Sequence, residues 1–165
     1  MKTIAIAIST QNGGVGMNEE LPWIQLKTLK DNYEELAIDQ IVLVGRFSYE
    51  KFSHMRGAMT YVYTNNADFQ ETEHIKKISG TPQEVIDVLK ERHPDKNIII
   101  GGGVAVFEQF FDLIDEWRVT IIEDYAIFNR EIDLTRIKFL HKNRKLVSSG
   151  EDTTKTFTTY HMSKE

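Results

Sequence analysis

A strand-to-helix unit in the middle of the chain has the sequence Ile98-Ile99-Ile100-Gly101-Gly102-Gly103-Val104-Ala105-Val106-Phe107. Its apolar start predicts a strand over Asn97–Ile100 that is buried on both faces, as strands of parallel sheets are. Three glycines follow, and the apolar residues after them predict a helix over 104–112. A buried strand that leads through glycines into a helix indicates an α/β fold.

The same alternation of strands and helices extends over the first two-thirds of the chain. Apolar β-branched runs and helical spacing of apolar residues are the signals, and Pro82 marks the first turn of one helix. The predicted strands are Thr3–Ser9, Ile41–Val44, 60–64 and Trp117–Ile122, and the predicted helices are 25–37, 46–53, 104–112 and one that begins at Pro82. This order predicts a mainly parallel central sheet flanked by helices.

The end of the chain has a different pattern. Lys145–Ser148 and Lys155–His161 are strand-like and are separated by a polar, turn-rich interval that begins at Ser149. We therefore predict an antiparallel C-terminal hairpin that closes the three-layer sheet fold. No internal repeat or linker divides the chain, so residues 1–165 are predicted to form a single domain.

Composition excludes several classes of function. The 165 residues carry a net charge of −5, which argues against a nucleic-acid or anionic-membrane surface. No apolar run approaches the roughly 18 residues of a membrane span, and the start of the chain alternates like a strand rather than a signal peptide. Cysteine is absent, which excludes disulfides and thiolate chemistry and agrees with a cytoplasmic location. The five histidines are scattered, so no metal site is predicted.

Three loops at predicted strand ends carry groups that suit a large anionic ligand. The first is Gly45-Arg46-Phe47-Ser48, the second is Gly101-Gly102-Gly103, and the third is Thr64-Asn65-Asn66. Glycines followed by a helix start expose backbone N–H groups to a phosphate, and Arg46 adds a cation. Each loop alone is equally compatible with a tight strand-to-helix turn.

Together with Gly16-Met17-Asn18-Glu19-Glu20-Leu21-Pro22-Trp23, these loops form a pattern that resembles the dihydrofolate reductase family, whose superfamily includes the reductase of riboflavin biosynthesis. The segment from Gly16 to Trp23 is similar to the family's mobile loop. Val44-Gly45-Arg46-Phe47-Ser48-Tyr49-Glu50 and the stretch from Ile98 to Phe107 are similar to its two glycine loops. The resemblance places the family's cis Gly–Gly bond at Gly102–Gly103 and its substrate-side Thr at Thr120.

The resemblance implies an NADPH-dependent reductase of the dihydrofolate reductase fold that transfers a hydride to the C=N bond of dihydrofolate and yields tetrahydrofolate. The implied cofactor-binding residues are Ala7, Gly16, Met17, Gly45, Arg46, Phe47, Ser48, Thr64, Asn65, Gly102, Gly103, Val104, Ala105, Val106 and Phe107. The implied substrate-binding residues are Ile6, Asn32, Phe52 and Thr120. Trp23, Thr28 and Asp31 are the candidate catalytic residues.

The sequence departs from the family pattern at the carboxylate that anchors the amino-pyrimidine ring. Five residues after Trp23 the chain has Thr28, and Asp31 follows about one helical turn later. Ala58 stands where the family has a glutamate-binding Arg, with Arg56 nearby, and Asn129 replaces a loop acid. These departures keep two alternatives open: a riboflavin-pathway-type reductase of an amino-pyrimidinone sugar, and a non-catalytic NADPH-binding protein. The sequence does not set the oligomeric state.

Overall fold

The computed structural model describes residues 1–16, 27–51, 57–123, 130–152 and 155–164, which form a large sheet with helices on both faces. The strands are β1 (Thr3–Thr10), β2 (Gly14–Gly16), β3 (Ile41–Gly45), β4 (Met59–Tyr63), β5 (Ile75–Ile78), β6 (Ile98–Gly102), β7 (Glu116–Ile122), β8 (Arg130–Glu131), β9 (Asn143–Asp152) and β10 (Lys155–Ser163). The helices are α1 (Lys27–Ala37), α2 (Arg46–Lys51), α3 (Pro82–Arg92), α4 (Val104–Phe110) and α5 (Leu134–Leu140).

The main sheet has eight strands in the order β5-β4-β3-β6-β1-β7-β10-β9. Neighbours from β5 to β7 pair in parallel, whereas β10 pairs antiparallel with β7 and with β9. The predicted mainly parallel sheet with an antiparallel C-terminal hairpin is therefore confirmed. Because the parallel strands point the same way, their carboxyl ends meet at one edge, which is where open α/β sheets bind ligands.

Each face of the sheet packs against its own set of helices. Ile41 and Leu43 of β3 point to the face covered by α3, α4 and α5, while Val42 and Val44 point to the face covered by α1. All four side chains are at most 1% exposed. Side chains alternate along a strand, so a run of apolar residues is buried on both sides only when helices cover both faces.

Helix α3 begins where the sequence predicted it. The Thr81 side chain accepts a hydrogen bond from the Glu84 backbone N–H, and Pro82 occupies the first turn. Val85, Ile86 and Leu89 form its buried face. A capping hydroxyl and a first-turn proline both favour a helix start, because they leave fewer backbone donors unsatisfied.

Four short elements were not predicted from the sequence. These are β2, β5, β8 and α5. In β5 only Ile75 and Ile78 are apolar, and the strand gains its stability by pairing with β4 at the edge of the sheet. Helix α5 has seven residues and depends on an Asp133 cap and on burial of Leu134 and Ile137. Such elements are too short for periodicity to identify, and tertiary contacts decide them.

Two histidines differ from the expectation of isolated surface groups. His141 is buried at the end of α5, where its Nδ1 lies 3.1 Å from the Ile137 carbonyl oxygen. His161 has an acidic partner, because its Nε2 lies 2.6 Å from Glu116 Oε2. The His161–Glu116 contact joins residues 45 positions apart, which is why spacing along the chain did not reveal it.

Glu116 links three strands at the amino end of β7. Its two carboxylate oxygens contact Lys2 Nζ and His161 Nε2, each at 2.6 Å, so the group connects the start of β1 to the end of β10. Burial by itself raises the pKa of Glu116, but the hydrogen bonds from Lys2 and His161 outweigh it and hold the pKa below its ordinary value. The same contact raises the pKa of Lys2.

We expect Glu116→Gln to lower the free energy of unfolding at neutral pH by about 1 kcal/mol, through loss of the charge-assisted bond to His161. The lowered pKa means that Glu116 contributes stability above its ordinary value of 4.5, and that this contribution is lost as the pH falls through the folded-state pKa. The urea midpoints of Glu116→Gln and of the unchanged chain should therefore become equal once the pH lies below the folded-state pKa of Glu116. Glu91→Gln, at an exposed position of α3, is the control, and equal midpoints for Glu116→Gln and the unchanged chain at neutral pH would contradict the assignment.

Candidate functional site

Two glycine loops lie side by side at the carboxyl edge of the sheet. Strand β3 ends at Gly45 directly before α2, and β6 ends at Gly102 just before α4, with Val44 paired to Gly102. A Cβ atom on Gly45 would lie 3.1 Å from Val106 Cγ2 and 3.8 Å from the Gly102 carbonyl oxygen. Any larger residue at position 45 would therefore push Val106 and the second loop away, so glycine at this position allows the two loops to approach closely.

The second loop has the backbone conformation that the family resemblance implied. The Gly102–Gly103 peptide bond is cis, and Gly102 has a φ of +109°. Gly103 caps α4, and its carbonyl accepts from the Phe107 N–H at 3.0 Å. The four predicted residues of α4 follow in order: Val104 is half-buried, Ala105 is exposed, and Val106 and Phe107 are buried.

Ser48 closes the space between the two loops. It is buried in the first turn of α2, and its Oγ lies 3.4 Å from the position that a Cβ on Gly103 would occupy. The two residues before it are exposed, with the Arg46 guanidinium 5.9 Å from the centre of the Phe47 ring. Arg46 also lies 3.9 Å from Glu50. This ion pair is long and exposed, so little free energy is lost when the Arg46 guanidinium binds another anion instead.

The third predicted loop adjoins the first. Strands β3 and β4 pair in parallel with Gly45 opposite Tyr63, so Thr64 follows on the same edge as Arg46. The Thr64 hydroxyl is half-buried and accepts from the Asn66 N–H at 3.1 Å, while Asn65 is exposed. The structure thus brings a cation, a hydroxyl and an amide to neighbouring strand ends.

The predicted substrate residues Ile6, Asn32 and Thr120 share the α1 face of the sheet. Thr120 Oγ1 lies 2.8 Å from Thr159 Oγ1 on the neighbouring strand β10, and both threonines are buried. The Asn32 side-chain amide of α1 donates to the same Thr159 oxygen at 3.3 Å. Ala7 belongs to the core cluster of the opposite face, so adjacent residues of β1 supply the two sides of the predicted site.

Several predicted residues lie outside the part of the chain that the structure describes. These are Met17, Trp23 and Phe52, and also Arg56 and Asn129. The backbone of Thr28 belongs to α1, but the placement of its side chain is not described. Gly16 ends the short strand β2 and pairs with Arg130 of β8.

Asp31, the candidate substitute for the missing carboxylate, and Ala58, which stands at the position of the glutamate-binding Arg, are both exposed. Asp31 is exposed on α1, directly before Asn32. Ala58 is exposed before β4, and its backbone N–H donates to the Gln40 carbonyl at 2.9 Å. Neither position gives a buried carboxylate or a guanidinium group.

The sequence analysis missed two polar residues on the α1 face of the sheet, Thr159 and Arg118. In the hairpin register Thr159 pairs with Thr120, and His161 pairs with Arg118. The Nε and Nη1 atoms of Arg118 are buried and have no hydrogen-bond partner among the described residues. The alternation of β7 could have placed Arg118 on the same face as Thr120, but the partner on β10 depends on a register that only the structure supplies.

Other surfaces of the described residues do not add to this site. A polar groove of about 420 Å³ is lined by Gln11, Asn12, Glu108, Glu131, Asp133 and Lys138, none of them a predicted site residue. Within the described ranges, no cluster of three acidic or histidine side chains has the arrangement of a metal site. None of the helices in those ranges is long and apolar enough to cross a membrane.

Comparison with known proteins relates the chain to one enzyme family. A family model described as dihydrofolate reductase matches residues 2–162. Dihydrofolate reductase of Mycoplasma genitalium is 29% identical over 123 residues, which cover 73% of this chain and 76% of the relative. Dihydromethanopterin reductase of Methylorubrum extorquens is 26% identical over 110 residues, which cover 67% and 74% of the two chains.

A solved structure supports the same fold. Dihydrofolate reductase from Enterococcus faecalis, complexed with NADP(H) and RAB-propyl, superimposes with a TM-score of 0.68 at 23% identity. The match covers 98% of this chain and 96% of the other. The predicted fold class is thus confirmed by the topology of the sheet and by its likeness to this protein.

We expect Gly102→Ala to lower the free energy of unfolding by about 1 to 2 kcal/mol, because a φ of +109° disfavours every residue that has a Cβ. Gly103→Ala is the matched control, since Gly103 has a φ of −79° and a Cβ there would meet only Ser48 Oγ at 3.4 Å. Urea denaturation of the two variants measures the difference. Equal loss of stability in both would show that the backbone of Gly102 is not the constraint.

Proposed function

This chain belongs to the dihydrofolate reductase family, and we propose that it is an NADPH-dependent oxidoreductase that transfers a hydride to the C=N bond of dihydrofolate. The observation that carries the proposal is the adjacency of two glycine loops with the family's motifs, Gly45-Arg46 and Gly102-Gly103, beside a substrate face that contains Thr120. Relatives named dihydrofolate reductase and dihydromethanopterin reductase support a dihydropterin substrate. The pyrimidinone reductase and the non-catalytic protein are not favoured.

The residues that are present fit a dinucleotide cofactor. Glycine at positions 45 and 102 lets the two loops lie close together at the carboxyl edge, because a Cβ at these positions would meet Val106 or Phe107. Arg46 and Thr64 would face the 2′-phosphate, and Ser48 with the start of α4 would face the pyrophosphate. Ala7 would lie beside the nicotinamide, whose role when bound is to supply the hydride.

The chain itself would contribute alignment and a proton. Ile6, Asn32, Phe52 and Thr120 would hold the pterin ring against the cofactor, and correct positioning is a major part of such catalysis. The imine nitrogen must be protonated as the hydride arrives. We propose that Thr28 and Asp31 of α1 serve this step, Thr28 by orienting a water and Asp31 by exchanging a proton, with Trp23 closing the pocket.

A turnover assay tests the proposed function. NADPH oxidation is followed with dihydrofolate, with the amino-pyrimidinone sugar, and with no second substrate. Oxidation that depends on dihydrofolate is the expected result. Binding of NADPH without turnover of either substrate would contradict the enzymatic function. Turnover of the pyrimidinone alone would contradict the proposal that dihydrofolate is the substrate.

We expect Arg46→Gln to weaken NADPH binding about tenfold or more, because the variant loses a charge-assisted bond to the 2′-phosphate. NADH lacks this phosphate, so its affinity should change little. Calorimetric titration of both cofactors measures the difference. Arg92→Gln on α3 is the control, and an equal effect of Arg46→Gln on NADH and NADPH would remove Arg46 from the 2′-phosphate site.

Asp31 is exposed on α1, so its proposed role requires that its carboxyl group reach the bound imine nitrogen. For a group that supplies this proton, we expect Asp31→Asn to lower kcat with dihydrofolate by about a hundredfold, the usual range for such a group. NADPH affinity should stay unchanged, because the cofactor loops lie at other strand ends. Asp39→Asn, in the exposed turn after α1, is the matched control. If kcat is unchanged in Asp31→Asn, Asp31 has no part in proton transfer, and Thr28→Asp should then raise the rate.

A further inference from the structure

Strand β9 forms one end of the eight-stranded sheet and has a long outer edge. It contains ten residues, Asn143–Asp152, and among the described strands β10 alone pairs with it. In an antiparallel pair only alternate residues bond to the partner strand, so the others direct their backbone N–H and C=O groups outward. Such an edge is a template for pairing with another chain, and for this reason edge strands are commonly kept short.

The charges of β9 are ordered along the strand. Arg144 and Lys145 lie near its start, and Glu151 and Asp152 lie at its end. Arg144 and Glu151 are both exposed, and neither has an ion-pair partner among the described residues. An antiparallel copy of the same strand would place the basic start of one chain beside the acidic end of the other. The charge order of β9 is therefore complementary to itself.

A β-bulge interrupts β9 near its middle. Leu146 and Ser148 pair with consecutive residues of β10, so Val147 between them is an extra residue. A bulge bends an edge strand and disrupts its regular ladder, which protects the edge from pairing with an arbitrary straight strand. A strand that carries the same bulge at the matching position can follow the bend. The bulge therefore favours a copy of β9 over other strands.

The bulge also brings Arg144 and Glu151 to the same face of the sheet. Arg144 pairs with Met162 of β10, and Glu151 pairs with Thr156. These two partners are an even number of residues apart, so their side chains share a face, and opposed residues of an antiparallel pair share it with them. In a regular strand, residues 144 and 151 would point to opposite faces.

A two-fold axis at Ser148 aligns the opposite charges of two copies. With Ser148 opposite itself and the extra residue skipped in each strand, Arg144 of one copy lies opposite Glu151 of the other. The axis repeats this contact, so the strands share two ion pairs, with opposed Cβ atoms about 5 Å apart. Leu146, which is 57% exposed in the single chain, comes to lie opposite Ser149 of the second copy.

We propose that β9 is the interface of a symmetric homodimer, in which two copies of this chain join their sheets through antiparallel β9 strands. A second copy is the occupant because it alone is certain to repeat both the charge order and the bulge, and such a contact closes with two-fold symmetry. The inference goes beyond the proposed reductase activity and does not depend on it. Strands β1, β7 and β10 separate β9 from the cofactor loop at the end of β6.

Sedimentation velocity over a wide range of protein concentration tests the dimer. The contact involves at most ten residues of each copy, fewer than the roughly 20 to 30 of a standard stable interface, so we expect a dimer that dissociates on dilution. Arg144→Glu and Glu151→Arg should each weaken it about tenfold or more, because like charges then oppose each other in both pairs. Arg92→Glu, at an exposed position of α3, is the matched control and should dimerise as the unchanged chain does.

An equal mixture of Arg144→Glu and Glu151→Arg is the decisive measurement. Neither variant should dimerise well alone, but in the mixed dimer positions 144 and 151 carry opposite charges in both contacts. The mixture should therefore dimerise as the unchanged chain does, and so should the double variant that carries both substitutions. A chain that stays monomeric at every concentration would overturn the inference. Dimerisation that neither single variant weakens, or that the mixture does not restore, would overturn it as well.

Discussion

The parallel pairing of β3, β6, β1 and β7 is the constraint on which the rest of the molecule depends. These central strands are covered on both faces, and Val42, Leu43 and Ile99 are fully buried. Their apolar side chains can leave water only if helices lie on each side, so the chain must return to the same edge after every helix. All carboxyl ends then meet at that edge, and the loops with glycine, arginine and threonine become neighbours.

The parallel sheet also brings the two glycine loops at the ends of β3 and β6 close together. Gly45 adjoins the Val106 side chain and the Gly102 carbonyl, and the missing Cβ at Gly45 allows the starts of α2 and α4 to lie close together. The result is a cradle whose chemistry is that of backbone N–H groups, Ser48 and the nearby cation of Arg46. A narrow, donor-lined cradle suits the phosphates of a dinucleotide, which explains why the cofactor side keeps the family pattern closely.

The substrate side has a different electrostatic character. The family's anchoring carboxylate is replaced by Thr28, and the described residues of the α1 face include the buried, hydrogen-bonded threonines Thr120 and Thr159. With Thr28 at the position of the family's carboxylate, binding energy on this side would come from hydrogen bonds to neutral groups rather than from a charge pair at that position.

The sequence by itself determined the fold class, the family and the principal elements, because these follow from local signals. Buried β-branched runs mark β3 and β6, Thr81-Pro82 marks the start of α3, and the glycine loops lie at fixed positions relative to them. Only the tertiary structure decided the contacts between strands that are distant in the chain. The Thr120–Thr159 bond and the Glu116–His161 pair depend on strand order and register. A one-residue change of register would move each side chain to the opposite face, and no local pattern records that choice.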